Sequence, residues 1–353
     1  MQSLLTPAHD WFEKRGWTAF DFQTEAWEAY LAGRNGLVNA PTGSGKTYSL
    51  VLPILLAYRQ EVEAGGGRAV RGLRAVWITP IRALSREIQQ AAQTAADEMG
   101  LDFRVAIRTG DTSTSERRKQ LDKGPELLIT TPESLHMILA NKAYPDFFSR
   151  LECVVADEWH ELIGTKRGVL VELALSRLRG LRPELLTWGI SATIGNLAEA
   201  VEVLLGVAGA VDYTLIRADI VKRIRTDTLL PDEIETFPWA GHLGIKMLEK
   251  VLPIVREGRS TLIFTNTRAQ CEIWYQRLLA ADDDLAGLIA MHHGSISREL
   301  RDWVESALHD GTLKAVVCTS SLDLGVDFRP VENIVQVGSP KGVARFLQRA
   351  GRS

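Results

Sequence analysis

The stretch Ala40-Pro41-Thr42-Gly43-Ser44-Gly45-Lys46-Thr47 decides how the rest of the chain is read. It follows a short apolar run, Leu37-Val38-Asn39-Ala40, and opens a helix-length segment that continues through Leu50 to Gln60. Glycines let backbone N–H groups turn inward around phosphate oxygens, Lys46 has the reach for β- and γ-phosphates, the Thr47 hydroxyl suits Mg²⁺, and a helix N-terminus adds positive potential. Ala40, a small residue, stands where the general pattern has its first glycine. Thr42, Gly43, Ser44, Gly45, Lys46 and Thr47 are therefore candidate nucleotide ligands. A glycine-rich turn with a solvated lysine is the plainer alternative, and the strand-to-helix setting argues against it. The loop says nucleotide and no more.

Outward from this loop, short apolar runs end abruptly in polar residues or proline: Ala75-Val76-Trp77-Ile78-Thr79, Leu127-Leu128-Ile129-Thr130 and Cys153-Val154-Val155-Ala156. Continuous apolarity, rather than alternation, marks strands covered on both faces, as in a parallel sheet flanked by helices. Helix-length segments such as Ile81 to Met99 and Arg167 to Arg179 lie between them. A second series follows, with Thr261 to Thr265, Ala315 to Thr319 and Asn333 to Val337. The intervening stretch is polar and broken by Pro231 and Pro238, which suits a linker. The expected organisation is a first domain over 1–215, a linker over 216–240 and a second domain over 241–353. In open α/β sheets ligands bind beyond the carboxyl ends of the strands, so the informative residues should follow the apolar runs.

The 353-residue length agrees with two domains at roughly 150 residues each. The longest uncharged apolar stretch, Leu50 to Tyr58, is far short of the ~20 residues that cross a bilayer. The N-terminus has no basic region followed by an apolar core, so the expectation is a soluble, cytoplasmic protein without a membrane partner. Cys153, Cys271 and Cys318 are widely separated, which gives a disulfide framework or zinc site little support. A net charge of -3 does not advertise nucleic-acid binding by the whole molecule, so any such binding falls to a local groove.

Asp157-Glu158-Trp159-His160 follows the run ending at Ala156. Asp157 is placed to hold Mg²⁺ through water, together with Thr47, and Glu158 to orient and deprotonate an attacking water. Acidic residues after a strand are common; their pairing with the phosphate loop is what gives them weight.

Together these two motifs resemble those of the superfamily 2 helicases, and the Asp-Glu-x-His form resembles the DEXH-box branch. Asp157-Glu158-Trp159-His160-Glu161-Leu162 running on into Lys166-Arg167-Gly168 is similar to the Lhr-like helicases, in particular the ligase-associated type. The resemblance implies two tandem RecA-like parallel-sheet domains of the P-loop NTPase class, with ATP and Mg²⁺ as cofactors. It implies that Phe20 and Gln23 read adenine, and that His160, Ser191 and Thr193 couple the nucleotide state to the nucleic-acid groove. Pro80, Arg82, Thr109, Gly110, Thr131 and Pro132 would track a strand in the first domain, and Asn266, Arg268, His293, Gly294, Thr319 and Ser320 in the second. Such contacts meet phosphodiester oxygens and position a strand without reading its sequence. Ordinary capping by Thr and Pro at helix starts competes with the tracking reading. The neighbouring histidines at 292 and 293 prompt a metal site, but no companion Cys or acidic cluster lies nearby in sequence. Asp327 would face the ribose, and Arg349 and Arg352 would meet ATP, with Arg352 as an arginine finger worth ~10³ to 10⁵ in rate.

The activity implied is that of an ATP-driven translocase or helicase acting on single-stranded DNA or DNA-containing duplexes, 3′ to 5′, in DNA repair, beside a repair ligase or nuclease. An RNA-directed helicase or remodeller stays open, because backbone contacts separate DNA from RNA poorly. So does a non-catalytic clamp that uses ATP only for affinity; a small-molecule P-loop kinase would leave the second domain's motifs unexplained. The sequence ends within the last motif, whereas the family continues through a winged-helix domain and a further one. The expectation is therefore a motor core with weak, nucleic-acid-stimulated ATP hydrolysis and little unwinding.

Overall fold

A computed structural model describes residues 2–67, 70–192, 194–206, 212–220, 224–231, 244–323, 331–340 and 342–352. The chain forms two compact units, Met1–Ile220 and Val221–Ser353.

In the first unit the strands are β1 (Asn35–Asn39), β2 (Ala75–Ile78), β3 (Val105–Arg108), β4 (Leu127–Thr130), β5 (Cys153–Ala156), β6 (Leu186–Ser191) and β7 (Tyr213–Arg217). They make one sheet in the order β3-β4-β2-β5-β6-β1-β7, with each neighbouring pair parallel. The second unit carries β8 (Thr261–Phe264), β9 (Ile289–His292), β10 (Ala315–Cys318) and β11 (Asn333–Gln336), parallel in the order β11-β8-β10-β9. Residues 216 and 217, expected at the start of the linker, instead close β7: Ile216 pairs with Val38 and is fully buried.

The unbroken apolar runs divide their side chains between two faces, because successive residues of a strand point to opposite sides of the sheet. Trp77, Leu127, Ile129, Cys153 and Val155 pack into one core, and Val76, Ile78, Leu128, Val154 and Ala156 into the other. The second unit repeats the device, with Leu262, Phe264, Val316 and Cys318 on one side and Ile263, Ala315 and Val317 on the other. Close approach of β1 to its neighbours depends on Gly36, where an added Cβ would lie 2.5 Å from the Trp188 ring and 2.6 Å from the Thr214 carbonyl oxygen.

This strand order sorts the functional loops. The turns after β5, β6 and β1 lie side by side, and so do those after β3, β4 and β2. The first group holds the phosphate loop, Asp157 and the residues after Ser191; the second holds the three segments expected to track a strand. Among the described residues no helix is long and apolar enough to cross a membrane.

Candidate nucleotide and nucleic-acid sites

The phosphate loop leaves β1 at Asn39 and becomes the helix Tyr48–Ala64. Gly43 and Gly45 have φ of 79° and 72°, a left-handed backbone that glycine adopts without steric cost. Ser44 closes the turn, its Oγ donating to the Pro41 carbonyl at 2.7 Å. Gln23, almost wholly buried, braces the loop from behind: its Nε2 donates to the Gly45 carbonyl at 3.0 Å, while its Oε1 accepts from the Phe20 N–H at 2.9 Å. The Phe20 ring stacks on Phe22 yet stays half exposed, beside a glutamine amide that has a second N–H still to give. Trp27 Nε1 donates to the Tyr48 carbonyl at 2.9 Å, tying the helix Asp21–Leu31 to the turn that follows Thr47.

Across from the loop, Asp157 receives Trp77 Nε1 at 3.1 Å and the Glu158 N–H at 2.8 Å. Burial pushes the Asp157 carboxyl up to about 7; the Glu158 charge adds to this, while the Trp77 N–H and Lys46 oppose it. Glu158 adopts φ 45° and ψ 48°, the left-handed region, and no other described non-glycine residue has a positive φ. Its Oε1 lies 3.6 Å from Lys46 Nζ, with both side chains 9% exposed. Lys46 Nζ and Glu158 Oε2 are buried without a hydrogen-bond partner among the described residues. Two carboxylates and one ammonium thus sit buried together with hydrogen-bonding capacity unspent, a costly arrangement unless a ligand completes it.

His160 Nδ1 lies 3.1 Å from Ser191 Oγ and 3.4 Å from Glu158 Oε2. Burial holds this imidazole below its ordinary range, although Glu158 and Glu161 pull the other way. The hydrogen bond at Nδ1 is with the serine, and Glu158 Oε2 lies near the ring without one. Two of the three expected coupling residues therefore meet; the third, Thr193, lies outside the described residues.

The strand-tracking candidates of the first unit share one stretch of loop ends. Thr131 caps the helix Pro132–Leu139, its Oγ1 accepting from the Ser134 N–H at 3.4 Å, with Pro132 at the first helical position. Arg82 pairs with Asp111 at 2.6 Å, and an added Cβ on Gly110 would lie 2.6 Å from the Arg82 guanidinium, so the segments after β2 and β3 are in contact. The carbonyls of Thr109 and Gly110 both accept from Arg117 Nη2, at 3.1 and 3.0 Å. Pro80 gives its carbonyl to Arg167.

In the second unit, Asn266 Nδ2 donates to the Ser339 carbonyl at 3.1 Å, and the exposed Arg268 opens the helix Arg268–Ala281. His293 is buried, its Nδ1 accepting from the Ser295 N–H at 3.2 Å across the turn that contains Gly294. His292, the last residue of β9, joins Ser321 Oγ at 2.7 Å to Glu305 at 3.1 Å, tying the end of β9 to the residue that follows Thr319 and Ser320. Among the described residues no group of three His, Cys, Asp or Glu side chains is placed to hold a metal ion. Arg349 is deeply buried: its Nε and Nη2 grip the two Asp323 oxygens at 2.7 and 3.2 Å, its Nη1 donates to Gln336 at 2.6 Å, and its guanidinium lies 4.6 Å from the Phe264 ring centroid. Expected to meet ATP, it is committed inside its own unit. Arg352 Nη2 donates to the Asp323 carbonyl at 3.0 Å. Asp327 lies outside the described residues.

Sequence reading missed three residues here. Trp77 is the side-chain hydrogen-bond donor of Asp157, and a tryptophan inside a fully buried strand is itself a signal, since its N–H usually finds an acceptor. Asp323 gathers Arg345, Arg349 and the Arg352 side chain. Arg167, which in the sequence served only to mark a subfamily likeness, bridges two loops.

Residues 20–201 match the DEAD/DEAH box helicase family and 244–353 the helicase conserved C-terminal domain. The ATP-dependent helicase Lhr-Core of Methanothermobacter thermautotrophicus is 33% identical over 100% of this chain and 42% of its own length. The Lhr helicase/uracil glycosylase of Escherichia coli is 31% identical over 100% of this chain and 26% of its own. A solved structure of the Mycobacterium smegmatis helicase Lhr, bound to ssDNA and AMP-PNP, superposes with a TM-score of 0.79 at 31% identity, covering 98% of this chain and 45% of that one. The chain thus spans about two fifths of the Lhr-Core relative. The match of the first family runs over more than half of the 353 residues, on a fold shared with an Lhr helicase, and this protein belongs to the DEAD/DEAH box helicases.

Proposed function

We propose that the chain is the ATP-hydrolysing motor of an Lhr-type helicase and works on single-stranded DNA. The observation that carries this reading is a pair of buried groups without a hydrogen bond among the described residues, Lys46 Nζ and Glu158 Oε2, beside the glycine loop. Lys46 would bind the β- and γ-phosphates, and Glu158 would take the proton of the attacking water. Phe20 would stack on adenine, with the free N–H of Gln23 on its edge. The Thr47 hydroxyl and Asp157 would hold Mg²⁺, which when bound supplies charge neutralisation to the phosphates. The fit is supported by the surplus of buried carboxylate over ammonium and by the raised Asp157 carboxyl, whose charged form a cation would favour. Arg352 stays in this reading as the arginine finger and Asp327 as the ribose contact. Arg349, gripped by Asp323, would act on ATP by holding its helix rather than by touching phosphate.

DNA is preferred over RNA because the Lhr structure at 31% identity is bound to ssDNA. Movement 3′ to 5′, a place in DNA repair beside a ligase or nuclease, and a cytoplasmic setting are inferred from the family resemblance. Steady-state phosphate release with no nucleic acid, with single-stranded DNA and with single-stranded RNA tests the reading. DNA is expected to stimulate turnover by about tenfold or more, the scale on which well-placed contacts alter a barrier. Stimulation by RNA alone would make the protein an RNA-directed remodeller, and no turnover under any condition would end the motor reading.

A further inference from the structure

We propose that Arg167 is a positioning residue: it fixes the spacing of two strand-tracking loops and ties that spacing to the Asp157-Glu158 turn. The inference rests on the strand-tracking part of the function proposed above. One planar guanidinium spans both loops. Its Nε and Nη2 meet the two Glu133 carboxylate oxygens at 2.6 and 3.0 Å, and its Nη1 donates to the Pro80 carbonyl. Glu133 directly follows Thr131 and Pro132, and Pro80 follows β2, so the fork sets the distance between the loop after β2 and the helix start after β4. A bidentate fork fixes direction as well as distance, which a point charge cannot do.

The base of Arg167 is equally constrained. It lies in the first turn of the helix Lys166–Leu181, where Thr165 Oγ1 accepts from the Gly168 N–H at 3.1 Å and donates to the Leu162 carbonyl at 2.6 Å. A Cβ on Gly168 would come within 2.2 Å of the Leu162 carbonyl oxygen, so this helix start is pressed onto the backbone of Trp159–Leu162. That short helix begins where Asp157-Glu158 ends. A shift of the nucleotide-sensing turn therefore reaches the Arg167 fork through a few bonded or touching residues. His136 Nε2, 2.7 Å from the Leu170 carbonyl, adds a second tie between the helices Pro132–Leu139 and Lys166–Leu181 one turn further on.

Stability is a poor explanation for the bridge. The Arg167 and Glu133 side chains are 37% and 52% exposed, and ion pairs that open to water contribute little to folding. Their geometry bears on where the loops sit.

The test measures phosphate release against single-stranded DNA concentration for the unaltered chain, Arg167→Ala, Glu133→Gln and the double variant, with a melting curve for each. Arg167→Ala is expected to raise the DNA concentration for half-maximal stimulation by about tenfold, the scale of one lost charge-assisted contact, with basal turnover and the KM for ATP unchanged. Glu133→Gln should weaken DNA response in the same direction, and the double variant should be no worse than Arg167→Ala, since both remove one bridge. Equal DNA dependence of Arg167→Ala and the unaltered chain, or additive losses in the double variant, overturns the proposal. A matching loss of melting temperature and basal turnover with unchanged DNA dependence reduces the bridge to a structural part, and also overturns it. Should Arg167→Ala fail to fold, Glu133→Gln decides by the same shift. If DNA does not stimulate the unaltered chain, the strand-tracking reading itself falls; if it does and Arg167→Ala responds identically, only the role of Arg167 falls.

Discussion

Lys46→Ala is expected to lower DNA-stimulated ATP turnover by about a thousandfold or more, the upper scale for removing one preorganised donor from a site where charge develops. Two effects add. The β- and γ-phosphates lose their buried ammonium, and Glu158 Oε1 loses the cation that stands 3.6 Å away. With Asp157 and Glu158 then buried without a positive neighbour, the pocket also becomes a poorer host for a polyanion. Phosphate release at saturating ATP and single-stranded DNA checks this, with fluorescent-nucleotide titration to show weakened binding. Turnover within tenfold of the unaltered chain would mean that the loop does not cradle the reacting phosphates.

Glu158→Gln separates a motor from a clamp. Glutamine keeps the size and hydrogen-bonding reach of the side chain but cannot accept a proton, so turnover should fall by about 10²- to 10⁴-fold, the range for general-base catalysis. Nucleotide binding should persist, because Lys46, Gly43, Gly45 and Gln23 are untouched. Rapid-quench measurement of bound ATP and ADP is the direct assay: the variant should accumulate unhydrolysed ATP. Unchanged phosphate release would assign hydrolysis elsewhere, or leave an ATP-dependent binding module with no chemistry at this carboxylate.

Much of the fold was legible because parallel strands buried on both faces leave an unmistakable print: Val76, Val154 and Val316 announce a strand wherever they fall in the core. The site was legible where chemistry and chain order coincide, as in the phosphate loop and in Asp157-Glu158, each at the end of such a strand. Contacts distant in sequence were not legible. Trp77 and Asp157 are 80 residues apart, and Arg167 and Pro80 are 87 apart. Arg349 shows the same limit from the other side. Its motif suggested a contact with ATP, while the tertiary structure surrounds it with Asp323, Gln336 and the Phe264 ring. Local pattern carries no information on which partners the fold will bring to a long side chain.

The left-handed backbone at Glu158 has a consequence for anyone engineering this protein. A side chain with a Cβ pays about 1–2 kcal/mol to sit there, a cost that glycine avoids and asparagine softens. A thermostability screen run without an activity filter would therefore drift toward Glu158→Gly or Glu158→Asn, and its hardiest survivors would be its inert ones.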